Sequence, residues 1–142
     1  MKLNQTEIKQ LLPHREPLLL LDSVSELIPG NSVTAAVTIR PDWQIFQGHF
    51  PSQPLLPGIY ITESMAQAAA LILLSTGGNQ GHLPLLFQIQ KMRFIRPVVP
   101  GDVMELKAVL TSDAGNGMYD FKVSASVHED QAASGIITLT LK

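Results

Sequence analysis

From Ile59 to Leu74 the chain contains no proline or glycine, and small or apolar residues fill nearly every position. Such a stretch forms a helix that is apolar almost all round, and a helix without a polar face has to be buried on every side. At about 1.5 Å per residue it spans most of a small domain. Pro57-Gly58 suits its first turn, where a missing N–H costs nothing, and Gly77-Gly78 marks its end. The remainder of the chain is therefore constrained to wrap this rod. Ala66, Ala68, Ala69 and Ala70 allow neighbouring backbone to approach closely.

The flanking segments supply the wrapping. Thr6–Leu12 predicts a short amphipathic helix with Thr6 as cap and Ile8, Leu11 and Leu12 as its apolar side, ended by Pro13. Pro17–Ile28 predicts a strand, with Leu18–Leu21 buried on both faces, and Pro29-Gly30-Asn31 a hairpin turn. Ser32–Arg40 alternates Val33, Ala35, Val37 and Ile39 against Thr34, Ala36 and Thr38. After the helix come four more strand patterns: Leu85–Ile95, Val103–Thr111, Met118–His128 and Ala132–Leu141. Turns at Pro100-Gly101-Asp102, Gly115-Asn116-Gly117 and Glu129-Asp130-Gln131 separate the last of them. The order is β-β, one long helix, then antiparallel strands, an α+β layout. With 142 residues and no linker or internal repeat, one domain over 1–142 is expected.

Composition narrows the function classes. The chain is 45% hydrophobic and 15% charged, and the apolar surplus for this size points to a subunit interface. A net charge of −2 provides no basic field for nucleic acid. There is no cysteine for a disulfide or thiolate site. The polar N-terminus is unlike a secretory signal, and no apolar run reaches the roughly 18 residues of a membrane helix. A cytoplasmic protein without a membrane span is expected.

Two residues stand out as chemistry. Glu63 sits within the apolar helix, where a carboxylate is costly unless paired or used. A helix-dipole contact is the plainer explanation, weakened by its distance from the first turn. Gln67, at i+4, is placed to hydrogen-bond it, and burial favours a proton-donating carboxyl. His49, framed by Gly48, Phe50 and Pro51, is either a packed loop residue or a base that titrates near neutrality. Gly58, if it opens the helix, presents an N–H from its positive end, although a plain helix start fits the sequence equally well. His14 follows Pro13 in a turn, and His82 and His128 lie in polar surroundings. Their spacing suggests no metal site. Lys91, Arg93 and Arg96 form a basic cluster, either a solvated strand edge or a receptor for an acidic partner.

These residues lie in motifs with a family likeness. Leu12-Pro13-His14-Arg15 with Pro17–Asp22, FQGHFP at Phe46–Pro51, PGIYITESMAQ at Pro57–Gln67 and RFIRPVVPGD at Arg93–Asp102 occur in family order across nearly the whole chain. The chain resembles the hotdog-fold (3R)-3-hydroxyacyl-acyl-carrier-protein dehydratases of bacterial fatty acid synthesis, the FabZ type. The resemblance implies an antiparallel sheet wrapped around one central helix, and His49 with Glu63 as the catalytic pair. It also implies a Gly58 oxyanion N–H, with Phe50, Pro57 and Gln67 completing the substrate site. No cofactor is implied, since the substrate arrives on the phosphopantetheine of acyl carrier protein. The likeness further implies homodimers whose sites take His from one subunit and Glu from the other, often in trimers of dimers. Glu63, where the isomerase-competent branch has Asp, implies dehydration without isomerisation. Pro84–Ile89 and Glu16 depart from the family pattern at positions that bear on acyl-chain preference.

The expected activity is removal of water from a 3-hydroxyacyl thioester to give a trans-2-enoyl thioester, in fatty acid or polyketide-type synthesis. The alternatives are a hotdog thioesterase, or a non-catalytic acyl-binding partner subunit.

Overall fold

In the computed structural model, which describes residues 1–142, the apolar stretch forms helix α2, Gly58–Leu74. Pro57 is its N-cap, with extended backbone, and Ile61, Thr62 and every residue from Ser64 to Leu74 are buried. The helix stops short of Gly77-Gly78 because side chains take its last carbonyls. Thr76 Oγ1 donates to the Leu73 carbonyl at 2.6 Å and Asn79 Nδ2 donates to it at 3.0 Å. Burial of Leu71, Ile72 and Leu74, all at 0% exposure, stabilises the fold by about 2 kcal/mol each.

Six strands wrap α2: β1 Ser23–Ile28, β2 Ser32–Thr38, β3 Pro84–Phe94, β4 Val103–Asp113, β5 Met118–Val127 and β6 Asp130–Leu141. Every pairing is antiparallel, in the order β1-β2-β4-β5-β6-β3. One face of the sheet carries Val33, Ala35 and Val37, then Met104, Leu106 and Ala108, then Phe121, Val123 and Ala125. These join the buried face of α2 in one hydrophobic cluster. The period-2 alternation read from the sequence is therefore the inward face of a sheet, and the architecture is the expected α+β hotdog.

Three expectations change. Helix α1 is Gln5–Leu11 and its cap is Asn4, not Thr6. Asn4 Oδ1 accepts from the Glu7 N–H while the Glu7 carboxylate accepts from the Asn4 N–H, a reciprocal capping box. Leu18–Leu21 is not a strand: Leu18 is exposed, Leu19–Leu21 are buried, and pairing begins only at Ser23. Backbone groups there are satisfied by the Gln67 side chain instead of by a neighbouring strand. The β5–β6 turn is His128-Glu129, with Val127 opposite Asp130. Both turn residues have positive φ, 51° and 69°, as a two-residue type I′ hairpin requires, so Asp130 already belongs to β6.

The two sheet edges differ. β1 is covered by the N-terminal residues, where Leu3 bridges Val24 through hydrogen bonds of 3.0 and 2.9 Å. β3 pairs only with β6 and leaves Leu85, Leu86, Phe87, Ile89 and Phe94 exposed. A long apolar edge of this kind is a template for pairing with another chain. β3 also carries a bulge: Lys91 and Met92 together face Gly135. Lys91 has φ 52°, and a Cβ on Gly135 would lie 3.0 Å from the Met92 Cα.

Candidate active site

His49 leaves the 3₁₀ turn Gln44–Gln47 and enters a loop tied to itself. The Leu55 N–H donates to the His49 carbonyl at 3.0 Å, and His49 Nδ1 meets the Leu55 carbonyl at 2.8 Å. A carbonyl only accepts, so this contact is a hydrogen bond when Nδ1 carries the proton. That tautomer leaves Nε2 as a bare base. Phe50 packs its ring on the imidazole, with centroids 4.1 Å apart. Buried Pro57 ends the loop, and the Leu56 N–H pins it to the Val98 carbonyl at 2.8 Å.

His49 and Gly58 line one pocket of about 370 Å³ with Ile61, Phe94, Ile95 and Arg96. As first residue of α2, Gly58 has an N–H without an intrahelical acceptor, at the positive end of the helix dipole. A Cβ here would meet three Phe94 ring atoms at 3.0–3.2 Å, so glycine is what allows the ring to close over the helix start. A larger cavity of about 690 Å³ lies beside Tyr60, Gly48 and Leu20. It holds neither His49 nor Glu63, and its wall carries the Arg40–Asp22 ion pair. The smaller pocket is the one that brings His49 and Gly58 together.

Glu63 is not among the residues lining the His49 pocket. Its Oε2 accepts from Gln67 Nε2 at 2.8 Å. Gln67, only 1% exposed, also donates from Nε2 to the Leu18 carbonyl at 2.8 Å and accepts from the Leu20 N–H at Oε1, 3.0 Å. An N–H can only donate and a carbonyl only accept, so these two backbone partners fix which way the amide faces. Gln67 thus presents an N–H to Glu63.

His14, which its sequence position did not single out, reaches the same carboxylate. Its Nε2 lies 3.6 Å from Glu63 Oε2, and its Nδ1 is buried without a partner. Burial lowers its pKa from the ordinary value. The Glu63 carboxylate opposes that shift and the Arg15 guanidinium adds to it. The only sequence signal was the PHR motif itself, whose arginine locks the turn. Arg15 donates to the carbonyls of Leu12 at 2.8 Å, His14 at 2.6 Å and Lys9 at 2.9 Å. In the basic cluster, Lys91 and Arg93 are exposed, while Arg96 is held by Asp130 at 3.3 Å. No three metal-ligating side chains converge.

The site motifs fall within a match to the FabA-like domain that covers residues 12–135. The chain belongs to the FabA-like family. Its FabA-like relatives include the 3-hydroxyacyl-[acyl-carrier-protein] dehydratase FabZ of Enterococcus faecalis, 46% identical over 87% of this chain and 90% of that protein. The FabZ of Ruminiclostridium cellulolyticum is 42% identical over 98% of this chain and 97% of its own length. Among solved structures, the dehydratase heterocomplex ApeI:P of Xenorhabdus doucetiae superposes with a TM-score of 0.76 at 21% identity, over 95% of this chain and 90% of that one. A hypothetical thioesterase of Streptococcus pneumoniae with coenzyme A superposes at 0.64 and 12% identity, over 84% of each chain. The fold is thus shared between dehydratases and a hypothetical thioesterase. The FabA-like sequence match, not the shape, separates them.

Proposed function

We propose that this FabA-like chain removes water from (3R)-3-hydroxyacyl thioesters carried on acyl carrier protein. His49 Nε2 takes the C2 proton, and the thioester oxygen, as it gains charge, accepts from the Gly58 N–H. Glu63 delivers a proton to the 3-hydroxyl, which leaves as water. The product is a trans-2-enoyl thioester, with His49 protonated and Glu63 ionised until a proton returns through solvent. Phe50 and Pro57 shape the thioester end of the pocket, and Gln67 holds the acid. The arm of the carrier supplies the substrate, and no cofactor takes part. The observation that carries this reading is the His49 Nδ1–Leu55 carbonyl contact, because it leaves a bare imidazole nitrogen in the pocket that Gly58 lines.

The separation of Glu63 from that pocket supports a site shared between two subunits. The pocket wall at Phe94 and Ile95 continues into the exposed apolar edge of β3. Two-fold pairing along β3 covers this edge and brings the partner subunit's Glu63 to His49. We assign the docking of acidic carrier protein to Lys91 and Arg93, with Arg96 anchored at the pocket rim. No helix is long and apolar enough to cross a membrane, and the reaction is assigned to the cytoplasm.

The test is direct. Purified protein given 3-hydroxyacyl carrier protein is expected to generate the ultraviolet absorbance of a conjugated enoyl thioester without releasing free thiol. Thiol release would mark a thioesterase, and substrate binding with neither signal a non-catalytic subunit. His49→Ala and Glu63→Gln are each expected to lower turnover by about two to four orders of magnitude with folding intact.

A further inference from the structure

His14 is a buried titratable group that the mechanism above does not use. It stands on the turn between α1 and the Leu18–Leu20 segment, and both sides of that turn are anchored. Arg15 ties it to the end of α1, and Gln67 grips Leu18 and Leu20. The ring is therefore held over α2 by contacts that do not involve Glu63. We propose that His14 is a positioning residue for Glu63, holding carboxyl Oε2 jointly with Gln67 and leaving Oε1 as the oxygen that exchanges the proton with substrate. The inference rests on Glu63 being the acid.

The geometry determines the state of the ring. Its side chain is 17% exposed, and the buried Nδ1 has no partner, so a proton there would create an unpaired buried N–H. The charged groups that face it are Glu63 on α2 and Arg15 on its own turn. A single proton belongs on Nε2, where it points at the carboxylate. The opposite tautomer would set a bare nitrogen against a carboxylate oxygen and bury an unsatisfied donor as well. At 3.6 Å the contact is longer than a formed hydrogen bond, as catalytic contacts often are before substrate tightens them. Oε2 thus has two donors directed at it, from helix α2 and from the turn. Oε1 accepts no hydrogen bond from within the chain.

Two variants and one spectrum test this. His14→Ala is expected to lower kcat about ten- to a hundredfold, the scale of a misplaced reacting group, with KM and melting temperature little changed. His14→Gln, which retains an N–H near the Nε2 position, is expected to recover most of that loss. In 15N spectra of histidine-labelled protein the His14 ring is expected to be protonated on Nε2 and bare on Nδ1. Wild-type kcat in His14→Ala, equal losses in both variants, or an Nδ1–H ring would each overturn the proposal. If His14→Ala does not fold, His14→Gln and the tautomer decide. A fully active Glu63→Gln would bring down the assignment of the acid itself, whereas an inactive Glu63→Gln beside an indifferent His14→Ala brings down only this inference.

Discussion

His49 and Leu55 are hydrogen-bonded to one another twice, backbone to backbone at 3.0 Å and imidazole Nδ1 to carbonyl at 2.8 Å. The loop is closed by the very contact that selects the imidazole tautomer, so the free ring nitrogen and the loop order are set together. Glu63 is held from a different part of the fold, through Gln67 and the turn at His14. The two groups therefore answer to different perturbations.

Mixing His49→Ala with Glu63→Gln protein probes the shared site. Random exchange makes about half the dimers mixed, and in each of these one of two sites regains both intact groups, so roughly a quarter of all sites recover. Mass spectrometry verifies that exchange has occurred. Exchange without any recovered activity would place both residues of a site in one chain.

Gly58→Ala is expected to force the Phe94 ring away from the helix start, since the new Cβ would lie 3.0 Å from it. Stability should fall by about 1 kcal/mol, and turnover with it. Phe94→Leu in the same chain is expected to restore much of the stability. A double variant whose losses simply add, measured by urea unfolding, would separate the two residues.

Gln67→Leu leaves the buried Leu20 N–H and the partly exposed Leu18 carbonyl without their Gln67 partner. A loss of about 1–3 kcal/mol in unfolding free energy follows from the unpaired buried N–H, with turnover reduced as Glu63 loses its restraint. His49→Ala, by contrast, is expected to unfold close to wild type. Equal stability of Gln67→Leu and wild type would contradict the network.

Reversing the charge of exposed Lys91 and Arg93 is expected to raise KM several-fold for carrier-bound substrate and to leave a small thioester mimic unaffected, because rim charges act on docking. Equal losses on both substrates would make the pair structural.

His14 also predicts a pH dependence. Its folded pKa lies below the ordinary 6.5, so on acidification the unfolded chain takes up that proton first. Its contribution to stability is full above 6.5 and is lost as pH falls through that value toward the folded pKa. His14→Gln is expected to flatten the part of the stability profile that falls away below the ordinary 6.5, leaving the carboxylates to act at lower pH. Parallel profiles for the two proteins would show that His14 titrates alike in both states.

Much of this was legible in the sequence because it is periodic. The bare helix of Ile59–Leu74, the inward alternation of β2 and β4, and the i+4 spacing of Glu63 and Gln67 all follow from repeat geometry. What escaped was non-local. Leu18–Leu21 has strand-like residues, but its backbone partners sit on a helix side chain from a distant segment. His14 looked like an ordinary turn histidine because its neighbour Glu63 is close only after folding. The cap was a local miss: Thr6 lost to Asn4 because the reciprocal bonds with Glu7 place the cap two residues before Thr6.

Strand β3 has a further consequence during synthesis. Its sole partner in the sheet is β6, so Leu85, Phe87 and Ile89 leave the ribosome well before Asp130–Leu141 exists to receive them. A pairing this distant is slow to close, and unpaired apolar strands are what chaperones capture. The exposed apolar edge at β3 is thus the last part of the sheet to be organised within its own chain.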